Sequence, residues 1–139
     1  MIALIQRVSE ARVEVDKKIV GAIDAGLLAL VAVQPGDDEA RIQRMCERLL
    51  GYRIFGDASD KMNLSLQDTQ GGLLLVSQFT LAADTSSGRR PSFSTAASPE
   101  AGLLGFESLV SLCRQRHAKV ETGQFGANMQ VHLVNDGPV

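Results

Sequence analysis

The chain has 139 residues, 45% of them hydrophobic and 22% charged, with a formal net charge of −2. That length and apolar content suit a single domain, residues 1–139, with an aliphatic core, since the chain has no Trp and one Tyr. The charge balance excludes a general polyanion binder, so any nucleic-acid contact has to come from a local basic patch. No apolar run approaches the roughly 20 residues of a membrane span. Met1–Ile5 lacks the basic region and cleavage site of a signal peptide, so no membrane association and a cytoplasmic location are expected. Cys46 and Cys113 sit in apolar helical patterns and read as buried free thiols. With His117 and His132 they are too scattered to ligate a metal, and neither metal nor cofactor is expected.

Residues 2–8 predict a strand, and Ala11–Val15 a second, with Val13 and Val15 on one face and Arg12 and Glu14 on the other. Asp16-Lys17-Lys18 turns the chain, and Ile19–Ile23 returns as a hairpin arm. Gly26 opens the continuous apolar run Leu27–Val33, the pattern of a strand buried on both faces, which Pro35-Gly36 ends. Asp37-Asp38-Glu39 is an acidic helix start. Ile42, Met45, Cys46, Leu49 and Leu50 follow as one apolar stripe, and Gly51 closes the helix. Arg41, Arg44 and Arg48 share another face, either solvated or facing phosphate.

Tyr52–Phe55 predicts a short strand, Gly56–Asp60 a turn, Lys61–Leu66 an extended piece and Gln67–Gly72 a loop. Leu73–Leu81 is the next strand, apolar through Val76 and then polar at Ser77, Gln78 and Thr80 around Phe79. Ala83–Ala97 is a long polar loop carrying Arg89-Arg90-Pro91, a length usual for functional loops. Ser98-Pro99-Glu100 starts a helix with a buried stripe of Leu103, Phe106, Val110 and Cys113, with Leu109 and Leu112 beside it. Gly102 and Gly105 mark close packing of that helix on the sheet. Lys119–Thr122 and Asn128–Val134 are the last strands, the latter alternating Met129, Val131 and Leu133 against Gln130 and an exposed His132. Hairpins before any helix, and no regular strand–helix–strand series, give an α+β fold: a mixed, barrel-like sheet with two main helices on one side.

The residues assemble no familiar catalytic machine. There is no Gly-x-Ser-x-Gly elbow and no phosphate-loop pattern. Ser77 and Thr80 are candidate nucleophiles, but neither histidine is an evident base. Ser77-Gln78-Phe79-Thr80 instead offers hydroxyls, an amide and backbone N–H groups suited to an oxyanion, so the base has to come from water or substrate.

Blocks along the whole chain carry a resemblance. They are Ile5-Gln6-Arg7-Val8, Gly26-Leu27-Leu28, Tyr52-Arg53-Ile54-Phe55, Lys61-Met62-Asn63 and Ser77-Gln78-Phe79-Thr80-Leu81. Ala83-Asp84-Thr85, Arg90-Pro91-Ser92-Phe93, Thr122–Ala127, Met129-Gln130-Val131 and Asn135–Val139 follow in order. The chain resembles the D-aminoacyl-tRNA deacylases of the bacterial and eukaryotic type. The resemblance implies a homodimeric ester hydrolase that proofreads translation by removing D-amino acids, or glycine mischarged on tRNA-Ala, from tRNA. It implies that Ser77, Gln78, Phe79 and Thr80 form the catalytic floor, with Phe125 and Met129 nearby and the N–H groups of Gln78 and Phe79 holding the oxyanion. The tRNA 2′-hydroxyl would activate water, with Thr80 as nucleophile the weaker reading. Gly137 and Pro138, joined by a cis peptide and steadied by Arg7, would enter the partner's pocket and select chirality.

The family pattern extends several residues beyond Gly-Pro-Val, where this sequence stops at Val139, and Ser87-Gly88 stands where a basic residue often precedes Gly. The alternative expectation is a noncatalytic RNA-binding module of the same fold, inactive through its short C-terminus.

Overall fold

The computed structural model describes residues 1–139 as eight β-strands and three α-helices in an α+β arrangement. The first strand departs from expectation. β1, Ile2–Val15, is continuous where two strands are predicted, because it changes partners along its length. Ile2–Val8 pairs antiparallel with β3 (Gly26–Ala32), and Ala11–Val15 with β2 (Lys18–Ile23). On its other edge, Val8–Glu14 pairs with β8 (Gln130–Asn135), with an irregularity between Val8 and Glu10 that lets the strand bend. The predicted hairpin turn is present, with Asp16 and Lys17 both at positive φ, the geometry that matches strand twist.

Past β3 the sheet is parallel: β6 (Gly72–Ser77) lies beside β3, and β7 (Val120–Thr122) beside β6. The continuous apolar runs of β3 and β6 are buried on both faces, as read. Leu27, Ala29, Val31, Leu73 and Leu75 face the helices; Leu28, Leu74 and Val76 face inward with Val8, Val13 and Ile23. Gly21 of β2 rests on the Thr122 carbonyl of β7, and a Cβ there would overlap that oxygen. This side-chain-free approach brings the sheet nearly back onto itself.

α1 (Glu39–Gly51) and the long α3 (Pro99–Arg116) cover one side of the sheet. Their starts follow the sequence: the Asp38 carboxylate accepts from Arg41 N–H and the Ser98 hydroxyl from Ala101 N–H. The α1 stripe is buried at Ile42, Cys46, Leu49 and Leu50. On α3 the buried face runs through Gly102, Gly105, Phe106, Leu109, Val110 and Cys113, while Leu103, expected inside, is exposed. Gly105 lets α3 approach the sheet: a Cβ there would stand 2.9 Å from Val33 Cγ1. Cys46 and Cys113 are buried free thiols, Cys113 donating to Cys46 at 3.4 Å across the α1–α3 contact.

Two local expectations are corrected. Of the predicted 52–55 strand only Phe55 is extended, together with Gly56 from the predicted turn (β4, Phe55–Gly56), pairing with β5, Met62–Leu64. Leu66–Thr69, expected as strand end and loop, is a short helix, α2, because Ser65 and Asp68 cap each other's backbone reciprocally.

Candidate active site

β6 reaches Ser77 and stops. Its neighbour β3 ends at Ala32, leaving nothing for later residues to pair with, so the predicted strand to Leu81 is instead a strand followed by a tight turn. The Gln78 N–H makes a last bond to the Val31 carbonyl at 2.7 Å. Phe79–Ala82 then forms a single 3₁₀ turn, with Leu81 N–H donating to Gln78 and Ala83 N–H to Thr80. The Gln78 side-chain amide donates to the Thr80 hydroxyl. The N–H groups of Phe79 and Thr80 take no partner in these turn bonds.

This turn forms one wall of a cavity of about 600 Å³ beyond the carboxyl ends of the parallel strands. Of the sequence-predicted residues, Ser77, Gln78, Phe79, Phe125 and Met129 all line it, and Thr80 adjoins it through Gln78. The lining is mostly apolar. Sequence reasoning missed the opposite wall, where the N-terminal half of α3 contributes Gly102 and Phe106. Gly102 was the available signal: it faces Phe125, whose Cζ would lie 3.5 Å from a Cβ there, an ordinary packing contact. Phe125 also packs against Phe106, with centroids 6.2 Å apart.

The 83–97 loop folds back on the site. Asp84 and Ser92 exchange backbone hydrogen bonds, and the Asp84 carboxylate, held below the usual range by the Ser86 side chain and N–H, fixes the turn. The bridge sets Phe93 against Phe79, centroids 5.3 Å apart. Phe79 remains 61% exposed at the mouth. Arg89 and Arg90 lie exposed in the same loop.

No histidine, carboxylate or cysteine lines the cavity. His117 is buried, its Nε2 2.6 Å from the Gly71 carbonyl at the opposite end of β6, and its Nδ1 has no partner. His132 is exposed on β8, 3.2 Å from Glu14, whose carboxylate is kept below its ordinary range chiefly by the hydrogen bond from Arg12.

The remaining site residues gather elsewhere. Gly137 and Pro138 are joined by a cis peptide, and Gly137 sits at φ 127°, where a Cβ would stand 2.8 Å from Arg7 Nη2. Arg7, expected to steady Gly137 and Pro138 through their carbonyls, bonds neither carbonyl within the chain; its Nε donates to Asp136 O at 3.1 Å and its Nη1 to Ile54 O at 2.8 Å. The backbones of Arg7 and Asp136, and of Arg7 and Val139, are also bonded, and Asn135 Nδ2 reaches both Arg7 O and Val139 O. This firmly tied segment is exposed at Gly137 and Pro138. Arg7 pairs with Leu27, four residues before the cavity-lining Val31, a strand distance of about 13 Å.

The profile of the family described as D-Tyr-tRNA(Tyr) deacylase matches residues 4–139. The chain belongs to this family. A D-aminoacyl-tRNA deacylase of Stenotrophomonas maltophilia (strain K279a) is 66% identical over 140 residues, spanning 100% of this chain and 96% of the relative. Another, of Ectopseudomonas mendocina (strain ymp), is 65% identical over 136 residues, spanning 98% and 94%. Among solved structures, the c-Myc DNA Unwinding Element Binding Protein superposes with a TM-score of 0.95 at 35% identity, covering 99% of this chain and 93% of that one. A probable eukaryotic D-amino acid tRNA deacylase matches the fold alone, with a TM-score of 0.82 at 15% identity, covering 96% and 93%. The deacylase reading from sequence thus holds for family and hydrolase class. No helix of this family member is long and apolar enough to cross a membrane.

Proposed function

We propose that this protein hydrolyses the ester joining a D-amino acid to the 3′-terminal ribose of tRNA, releasing free amino acid and tRNA, and so proofreads charged tRNA in the cytoplasm. The observation that carries this reading is the chemistry of the cavity wall. Backbone N–H groups and small polar side chains meet an apolar chamber that holds no protein base. Such a site suits stabilising the anion of an attacked ester. Because the Gln78 N–H is committed to Val31, the oxyanion donors are the N–H groups of Phe79 and Thr80, one residue on from the pair expected from sequence. The base is supplied by the substrate: the ribose 2′-hydroxyl lies next to the ester and activates the attacking water.

Chiral selection is assigned to Gly137 and Pro138 of a second copy. In one chain neither residue lines the cavity, and the bonds from Arg7, Asp136 and Asn135 hold the segment in place. Their rigid backbone carbonyls would fix the substrate amino group and leave no space where an L side chain projects. Glycine passes the same filter, so glycyl-tRNA-Ala is also a substrate. A steric exclusion of this kind exceeds the roughly 1–3 kcal/mol that one methylene of fit provides.

The test is incubation of the purified protein with D-Tyr-tRNA, L-Tyr-tRNA and D-Tyr-tRNA ending in 2′-deoxyadenosine. Release of tyrosine from the first alone is expected. Release from the L ester at a comparable rate overturns the filter, and binding without release from any of them indicates a noncatalytic RNA-binding module.

A further inference from the structure

A second concavity lies on the helical side of the molecule. Arg41, Arg44 and Arg48 project from α1 over a groove of about 730 Å³, floored by Ile5 and Leu49 and closed at one end by Tyr52. Helical rise spaces the arginines about 4.5 and 6 Å apart along the axis. That stepping suits successive phosphates of an extended strand.

The cations of this groove are poorly neutralised. Arg44 makes no hydrogen bond or ion pair within the chain. Arg48 only donates to the Tyr52 hydroxyl at 3.2 Å and lies 5.9 Å from the ring centroid. Arg41 bonds the Gly36 carbonyl and stands 3.9 Å from Asp37, but that carboxylate is already bound by the Met1 amine at 2.7 Å and the Gln34 N–H at 2.8 Å. Glu47 turns away to Arg116, 3.7 Å off on α3. A chain of net charge −2 therefore gathers unspent positive charge on one groove. Tyr52, 43% exposed, adds a flat ring on which an unpaired base can stack.

The groove also has the right neighbour. Gln34 lines it, and the preceding residue, Val33, lines the proposed catalytic cavity. A strand whose end enters the cavity has the groove at hand for its next phosphates.

We infer that the α1 groove binds the phosphate backbone of the substrate RNA adjoining its aminoacylated 3′ end, with Arg41, Arg44 and Arg48 as the phosphate ligands. This rests on the tRNA-ester reading of the cavity.

The experiment compares wild type with an Arg44→Gln/Arg48→Gln double variant on two esters, D-Tyr-tRNA and D-tyrosyl-adenosine, which shares the reacting atoms but has no phosphate. The double variant is expected to lose about tenfold or more in kcat/KM on the tRNA, through KM. Its log–log salt dependence should flatten by about one unit per arginine. Its kcat/KM on D-tyrosyl-adenosine should stay at the wild-type value, which also reports that it is folded. A Lys17→Gln/Lys18→Gln variant removes equal charge at the distant β1–β2 turn and should behave as wild type. Wild-type kinetics and salt slope for the arginine variant, equal losses on both esters, or an equal loss in the lysine variant would each overturn the groove. Affinity for uncharged tRNA separates this inference from the one beneath it. A wild-type protein that cleaves neither ester yet binds RNA through these arginines keeps the groove and loses the cavity reading. One that cleaves both esters with no need of the arginines does the reverse.

Discussion

The Gln78 N–H and the Val31 carbonyl meet at 2.7 Å, and this bond decides which amides of the following turn remain free to act. It also places the Thr80 hydroxyl where the Gln78 side-chain amide donates to it. Thr80 is thereby a brace of the turn. Thr80→Ala is expected to retain kcat on D-Tyr-tRNA to within about tenfold, whereas removing the terminal 2′-hydroxyl should cost about 10²–10⁴, the usual worth of a general base. Single-turnover rates on the two substrates decide between them, and the opposite ranking would make Thr80 the nucleophile.

Phe79 is the most exposed of the large apolar side chains lining the cavity. Its ring contacts Phe93 but contributes little to the core, so Phe79→Ala should move the melting temperature by only about 2–4 °C. Loss of the aromatic wall should lower kcat/KM at least about tenfold. A double-mutant cycle with Phe93→Ala should return a coupling near 0.5 kcal/mol, the low end for aromatic pairs because this one is exposed. Scanning calorimetry and deacylation rates measure both quantities.

Gly21 is the tightest point of sheet closure. Gly21→Ala places a methyl group into the Thr122 carbonyl, and neither backbone can retreat without breaking strand pairing. A loss of about 2–3 kcal/mol is expected, or a melting temperature lower by about 10 °C. A wild-type denaturation midpoint for this variant would show that β2 and β7 do not close as described.

The protein should show an acid limb of instability. The carboxyl of Asp68 is held below its usual range by the N–H and hydroxyl of Ser65, that of Asp57 chiefly by Lys61 N–H, and that of Asp84 by Ser86. A depressed folded-state value means that the unfolded chain binds protons first as pH falls. The stabilisation is therefore complete above the ordinary Asp value near 4 and is lost progressively below it. Denaturant titrations at pH 7 and pH 3 should show this drop. Asp68→Asn should be less stable at pH 7 and lose less on acidification.

The sequence was most legible where burial leaves no choice. Leu27–Val33 and Leu73–Val76 are apolar without alternation because helices press on one face and the barrel interior on the other. The helix starts at Asp38 and Ser98 were readable because capping is local chemistry. The continuity of β1 was not, since its exchange of partners is a tertiary event. The end of β6 at Ser77 depends on where β3 stops, far away in sequence. α2 has no room for periodicity, though Ser65 and Asp68 at capping-box spacing were a cue within reach. Leu103 misled because an apolar residue is a weaker guide than the small residues beside it: Gly102 and Gly105, without side chains, define the packed face of α3. In the site, the turn residues, Phe125 and Met129 were foreseen as neighbours. The commitment of the Gln78 N–H and the bond from Arg7 to Asp136 could only come from coordinates.

Because Gly137 and Pro138 are not part of the lining of their own chain's cavity, the two halves of the proposed site are genetically separable. A Phe79→Ala chain carries a sound tip and a spoiled chamber; a chain with Ala at 137 and 138 carries the reverse. Each alone should be impaired, the first by at least about tenfold, yet coexpression should let mixed pairs assemble one sound chamber facing one sound tip. With random pairing, about a quarter of the wild-type sites would be restored. Complementation between two impaired alleles is something a site built within a single chain cannot produce.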